Sequence, residues 1–169
     1  MIREVSDSIF QNELSGNNVI INPVNCKAIL QPGISQQVCK KYPGWYDNFH
    51  EYCSWFNKST WNNGDHFDEI LGSFHRFKAN DNTIICSAFV QEGPSKNRYA
   101  IDLDYWDKIL RKIEKQTQRA KRVTGKNWLL HIPMNVCLQE TIDGDSLMNV
   151  IEDIFGKSDV DIVIHGMRD

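Results

Sequence analysis

Four short apolar runs, VIIN (19–22), TIICSAFV (83–90), WLLHIP (128–133) and VDIVIH (160–165), are separated by segments whose apolar residues recur every three or four positions. A run of that length with little alternation is what a strand covered on both faces looks like. The intervening segments carry helical stripes: Ile34, Val38 and Tyr42; Trp45, Phe49, Cys53 and Phe56; Tyr105 or Trp106 with Ile109, Ile113 and Ala120; and Leu147, Val150, Ile151 and Ile154. Buried strands alternating with amphipathic helices predict an α/β sandwich, a mixed sheet between helical layers.

The punctuation agrees with that pattern. Residues 2–5 read as a short strand, and Pro43 ends the first helix. Asn80-Asp81-Asn82 turns a hairpin inside 70–90, and 101–120 is the longest helix. Asp145 or Ser146 caps the last helix. The segments 58–66, 91–98 and 134–144 are polar and turn-rich, and read as loops.

With 169 residues the chain suits one domain, 1–169, around one core. The net charge of −3 gives no general pull toward nucleic acid or an anionic membrane. No apolar run approaches the roughly 20 residues of a membrane helix, and the acidic start MIREVSDSIF is unlike a signal peptide. Cys26, Cys39, Cys53, Cys86 and Cys137 are odd in number and form no C-x-x-C pair, which argues for a reduced, cytoplasmic setting. The histidines His50, His66, His75, His131 and His165 are scattered, so neither a metal nor any other cofactor is expected. His131, inside an apolar run, reads as a core histidine with satisfied partners. The basic run from Lys108 to Lys126 reads first as the solvated face of a helix, with nucleic acid the lesser alternative.

In folds of this class ligands bind beyond the C-terminal ends of strands, where loops meet helix N-termini. Two loops qualify, 25–33 after VIIN and 134–145 after WLLHIP. Asn25 fits either a turn residue bonding its own backbone or a ligand contact. Cys26 reads as a packed small residue, since nothing nearby in sequence supplies a base.

Several separated motifs, VIINPVNCK, a helix ending in KKYP, then HIP, GDS and VIEDIFGKSDVDIVIH, resemble the macro domain, closest to the bacterial and phage branch that processes ADP-ribose derivatives. The opening VSDSIF is similar to that family's V-G-D-I-F with one extra residue. The resemblance implies a three-layer α/β/α sandwich with an ADP-ribose cleft. It implies Asp7 at the adenine amino group with Ile9 beside it, and Asn25 at the distal ribose. Cys26, Gly33 and Ile34 would line the first phosphate loop, and Asn135, Val136 and Cys137 the second. In an active hydrolase Asn25, Asp143 and Asp145 are the candidate catalytic residues.

The departures fall on glycines. The family pattern x-G-x-M-G-x-G after N-C is met here by Ala28, Leu30, Gln31 and Gly33, so one glycine of three is kept. The second loop, usually I-G-x-G, holds Asn135-Val136-Cys137-Leu138. Glycines in such loops permit positive φ and let N–H groups approach phosphate, so their loss predicts a narrowed diphosphate channel and a changed loop shape. The lysine and acid of the hydrolase branch have no clean counterpart among Gln91, Glu92, Lys96, Gln139 and Glu140. Three readings follow: a weakened ADP-ribose binder, an ADP-ribosyl or ADP-ribose-1″-phosphate hydrolase, and a degenerate scaffold that contacts a protein partner.

Overall fold

A computed structural model describes residues 1–11, 13–30, 33–57, 69–91, 103–134 and 144–166. Its elements run β1 (Ile2–Val5), β2 (Asn17–Asn25), α1 (Ile34–Lys41), α2 (Pro43–Asn57), β3 (Phe74–Asn80), β4 (Thr83–Gln91), α3 (Leu103–Thr124), β5 (Trp128–Pro133), α4 (Gly144–Phe155) and β6 (Ile162–His165). The six strands form one sheet in the order β1-β6-β5-β2-β4-β3. Only the β3–β4 hairpin is antiparallel; the other pairings are parallel. All four apolar runs lie in this sheet.

Strand alternation sorts the core into two layers. Val19, Ile21, Ile84, Cys86, Leu130, Ile132, Ile162 and Ile164 face α3 and α4. Ile20, Val24, Ile85 and Phe89 face α1 and α2. The result is an α/β/α sandwich with β2 and β5 adjacent and parallel at its centre, so the loops leaving them depart from the same edge.

The helices follow the stripes with small differences. In α3 Trp106 rather than Tyr105 is the fully buried residue, joined by Ile109, Leu110, Ile113 and Thr117, while Ala120 is half-buried. The basic side chains of α3 face away from the sheet, with Arg111 tied to Asp107 at 2.9 Å and Asp153 at 2.6 Å. Pro43 separates α1 from α2 and also opens α2, where its missing N–H matters least. Among the crowded aromatics Trp55 is 76% exposed, so it is not core; Trp61 lies outside the described residues.

Three boundaries moved. β2 extends three residues past Asn22, through Pro23, to Asn25. Beyond Ile20 it is paired with β4 alone, and a strand paired on one side tolerates proline. β6 begins at Ile162, with Val160 buried just before it. α4 starts at Gly144, so Asp145 stands in its first turn instead of capping it. There its negative charge meets the positive end of the helix dipole. No helix among the described residues is long and apolar enough to cross a membrane.

Candidate functional site

Where β2 ends, Asn25 folds back on its own loop. Its Oδ1 accepts from the N–H groups of Lys27 (3.1 Å) and Ile29 (3.2 Å), and its Nδ2 donates to the Ile29 carbonyl at 2.8 Å. The side chain is 2% exposed. The Cys26 N–H bonds the Gln91 carbonyl at 3.1 Å, which ties the loop to β4. Ala28 sits at φ 56°, and Tyr46 donates its hydroxyl to the Ala28 carbonyl at 3.1 Å. Ala28 therefore holds a left-handed bend despite its Cβ. The Asn25 clamp and the Tyr46 bond hold a conformation that an alanine would otherwise leave.

The loop then enters α1 through Gly33, at φ 123° and ψ −138°, a region open in practice to glycine alone. Gly33 brings no side-chain cap, and Gln37 N–H is the donor to its carbonyl. Behind this junction Ser35 donates to Asn22 Oδ1 at 2.9 Å. Asn22 is fully buried, and its Nδ2 has no partner among the described residues.

The segment after β1 packs beside this loop. Ile9 shares one apolar cluster with Val24, Cys26, Ala28 and Ile34. Asp7 is half-buried and borders a cavity of about 220 Å3 with Arg3, Glu13, Asn18, His131 and His165. In that cavity His131 Nδ1 lies 2.9 Å from His165 Nε2, His131 Nε2 lies 2.7 Å from Asn18 Oδ1, and His165 Nδ1 lies 3.2 Å from the Asp7 carbonyl oxygen. Burial pushes His131 down to about 4, with the neighbouring His165 and Arg3 adding to the effect. Burial also lowers His165, although its contacts with Asp7 oppose the shift.

The fold thus gathers Asp7, Ile9, Asn25, Cys26, Gly33 and Ile34 at one end of the sheet. Asp145 is exposed at the start of α4, in the helical layer on the opposite face. Asn135, Val136, Cys137 and Asp143 lie outside the described residues. Cys26 is fully buried, and burial pushes the Cys53 and Cys86 thiols up to about 12, so none of the three is poised as a nucleophile. Among the described residues no group of three His, Cys, Asp or Glu side chains is placed to hold a metal ion. His131 is a partnered core histidine, as its apolar setting suggests. Its partners, Asn18 and His165, give no sequence signal beyond falling on one face of neighbouring strands.

No family model matches the chain, and no curated protein does. Solved structures do. The macrodomain of Thermus aquaticus DarG aligns at TM-score 0.73 and 12% identity, over 99% of both chains. The macrodomain of Mycobacterium tuberculosis DarG aligns at TM-score 0.72 and 18% identity, again over 99% of both. Thermosipho africanus DarTG in complex with ADP-ribose aligns at TM-score 0.61 and 12% identity, over 87% of this chain and 37% of that one. The α/β/α sandwich of this chain has the macrodomain fold.

Proposed function

We propose that this chain binds ADP-ribose or a related nucleotide derivative where the loop leaving β2 meets α1, and that it does so weakly. The observation that carries this reading is the run from Asn25 to Gly33. It leaves a central parallel strand, is clamped by its own asparagine, and turns through a glycine-only conformation into a helix with no side-chain cap. Such a junction offers N–H groups and the positive end of a dipole to a phosphate. The fold likeness, which includes one complex with ADP-ribose, supports the ligand class. Asp7 takes the base end, and the second Asn25 Nδ2 hydrogen, which makes no bond among the described residues, would meet a ribose hydroxyl.

Weak binding follows from Ala28, Gln31, Val136 and Leu138, which stand where glycines would let the backbone approach the diphosphate. Losing two or three charge-assisted hydrogen bonds, at roughly 1.5–3 kcal/mol each, lowers affinity by about two powers of ten or more. One observation favours a second reading, a scaffold that has given up its nucleotide: three amide contacts of Asn25 go to its own loop. Calorimetric titration with ADP-ribose separates the two. A Kd between ~10 μM and ~1 mM, lost in Asp7→Ala, supports the nucleotide reading. No heat at millimolar ligand leaves the scaffold, and sub-micromolar binding contradicts the weakening. Turnover of ADP-ribose-1″-phosphate is expected to be low.

A further inference from the structure

Counting hydrogens on the two buried histidines limits the states they can occupy. Asn18 Nδ2 lies 3.1 Å from the carbonyl oxygens of both Ser15 and Gly16. Only the NH2 end satisfies two acceptors, so Oδ1 faces His131 Nε2, which must carry a hydrogen. At the other end the Asp7 carbonyl is also an acceptor, so its contact with His165 Nδ1 needs a hydrogen on that nitrogen. Between them, His131 Nδ1 and His165 Nε2 share one hydrogen across 2.9 Å. Three bonds need three ring hydrogens, and two neutral imidazoles carry two. When the pair is neutral, its longest contact, His165 to Asp7, sets a lone pair against a carbonyl oxygen. One added proton completes all three bonds. A second would set N–H against N–H across 2.9 Å and break the pair.

We propose that His131 and His165 are positioning residues for the base end of the nucleotide site, and that one proton shared by the pair locks the Asp7 carbonyl, and the segment carrying it, onto β6. The consequence for ligand binding rests on the reading of Asp7 as the base contact; the proton count does not. The Asp7 carbonyl already accepts from the Gly166 N–H at 3.2 Å, so the proton turns one tether into two. The charged groups facing the pair are Arg3 from β1, which disfavours the proton, and Asp7, which favours it at His165. Glu13, from the segment before β2, borders the same cavity, and Asn18 on β2 is neutral. Burial dominates and lowers both rings, while the acid lies beside His165. The first proton therefore settles on His165, below the usual histidine range, and the pair lacks it at neutral pH. Affinity for the nucleotide then rises as pH falls, and bound nucleotide raises proton affinity by the same factor. One net hydrogen bond corresponds to a change on the order of two- to tenfold.

The test combines a histidine-resolved 15N NMR titration of the ligand-free protein with ADP-ribose calorimetry at pH 8 and pH 5.5. Expected are uptake of one proton below the normal histidine range, a Gly166 amide shift that tracks it, and two- to tenfold tighter binding at the lower pH. His165→Asn, whose side-chain amide can donate to Asp7 without titrating, should lose the pH dependence of binding while still binding. Two independent histidine titrations near 6.5, or a Gly166 amide indifferent to them, overturn the shared proton whatever the ligand does. A Gly166 shift that follows the proton while affinity stays flat overturns the positioning role. If ADP-ribose binds at neither pH but the titration behaves as expected, the nucleotide reading falls and the proton-locked tether stands.

Discussion

The two faces of the sheet are built from different chemistry. On the α3/α4 face the packing is mainly apolar; among the described residues Thr117 is buried there and bonds within its own helix at 2.7 Å to the Ile113 carbonyl, and the Trp106 indole N–H is buried with no partner. On the α1/α2 face the same strands carry Asn18, Asn22, Ser87, His131 and His165, with His75 on β3 and Asn25 at the strand end. Those groups find partners across long sequence separations, some of them on α2: Trp45 Nε1 donates to Ser87 Oγ at 3.0 Å, and His75 Nε2 lies 2.7 Å from Asn48 Oδ1. One face can be built by any apolar set of the right volume. The other needs each partner in place, since an unpaired buried polar group is costly. Among the described residues, every one proposed for the nucleotide except Asp145 lies on or beside the polar face.

The largest effect should come from the apolar face and be blind to pH. Phe155 is fully buried between α4 and the sheet, and Phe155→Ala should cost about 3–5 kcal/mol. Chemical denaturation at pH 8 and pH 5 should show the same loss at both. A loss that depended strongly on pH would mean that the two faces are energetically coupled.

The polar face should respond to pH instead. His131 in the folded chain is held neutral down to about 4, whereas unfolded it takes a proton near the ordinary value of 6.5. Between those values the unfolded state binds more protons, so stability rises with pH there. The contribution is fully present above about pH 6.5 and is lost as pH falls toward 4. At about 1.4 kcal/mol per unit, the loss across that window approaches ~3 kcal/mol. His131→Gln, whose amide can still donate to Asn18, should flatten this part of the stability profile relative to the parent chain. An identical acid slope in both proteins would move the effect to other groups.

The contrast also explains what could be read in the sequence. Apolar runs and helical stripes are local and periodic, and they located all the long elements. Periodicity alone left Tyr105 and Trp106 undecided, because neighbouring residues on a helix differ by only 100° in direction. β2 looked shorter than it is because its apolar run stops at Asn22, and only the sheet order reveals that beyond Ile20 the strand is paired on one side. The apolar setting of His131 showed that it is core but not who partners it, because it meets His165 across 34 residues and Asn18 across 113. Asn25 was legible as either a turn residue or a ligand contact, and its bonds to Lys27 and Ile29 show the turn role directly.

The junction into α1 should give the next effect. Gly33→Ala forces a Cβ into φ 123° and should cost about 1–3 kcal/mol. If the backbone relaxes to avoid that cost, ADP-ribose affinity should fall with it. Unchanged stability together with unchanged affinity would show that the conformation at Gly33 is not required.

Ala28→Gly should have the smallest effect, because its terms oppose one another. Ala28 holds φ 56°, which costs an alanine about 1–2 kcal/mol relative to the right-handed region. Glycine removes that strain but frees the unfolded chain by about 0.5–1 kcal/mol and deletes a buried methyl worth about 0.8 kcal/mol. The methyl is a core group, since Ala28 is 4% exposed and packs with Ile9, Cys26 and Ile34. Net stability should therefore shift by less than about 1 kcal/mol, read as a small change in denaturation midpoint at constant slope. The bend itself should persist, because the Asn25 clamp on Lys27 and Ile29 and the Tyr46 bond to the Ala28 carbonyl do not use the methyl. With the bend kept and the Cβ gone, the backbone there can approach phosphate more closely, so ADP-ribose affinity should rise, by less than about tenfold, because one loop position of several is restored. A stability loss above about 2 kcal/mol would make Ala28 a packing residue first and place it with the apolar chemistry of the opposite face.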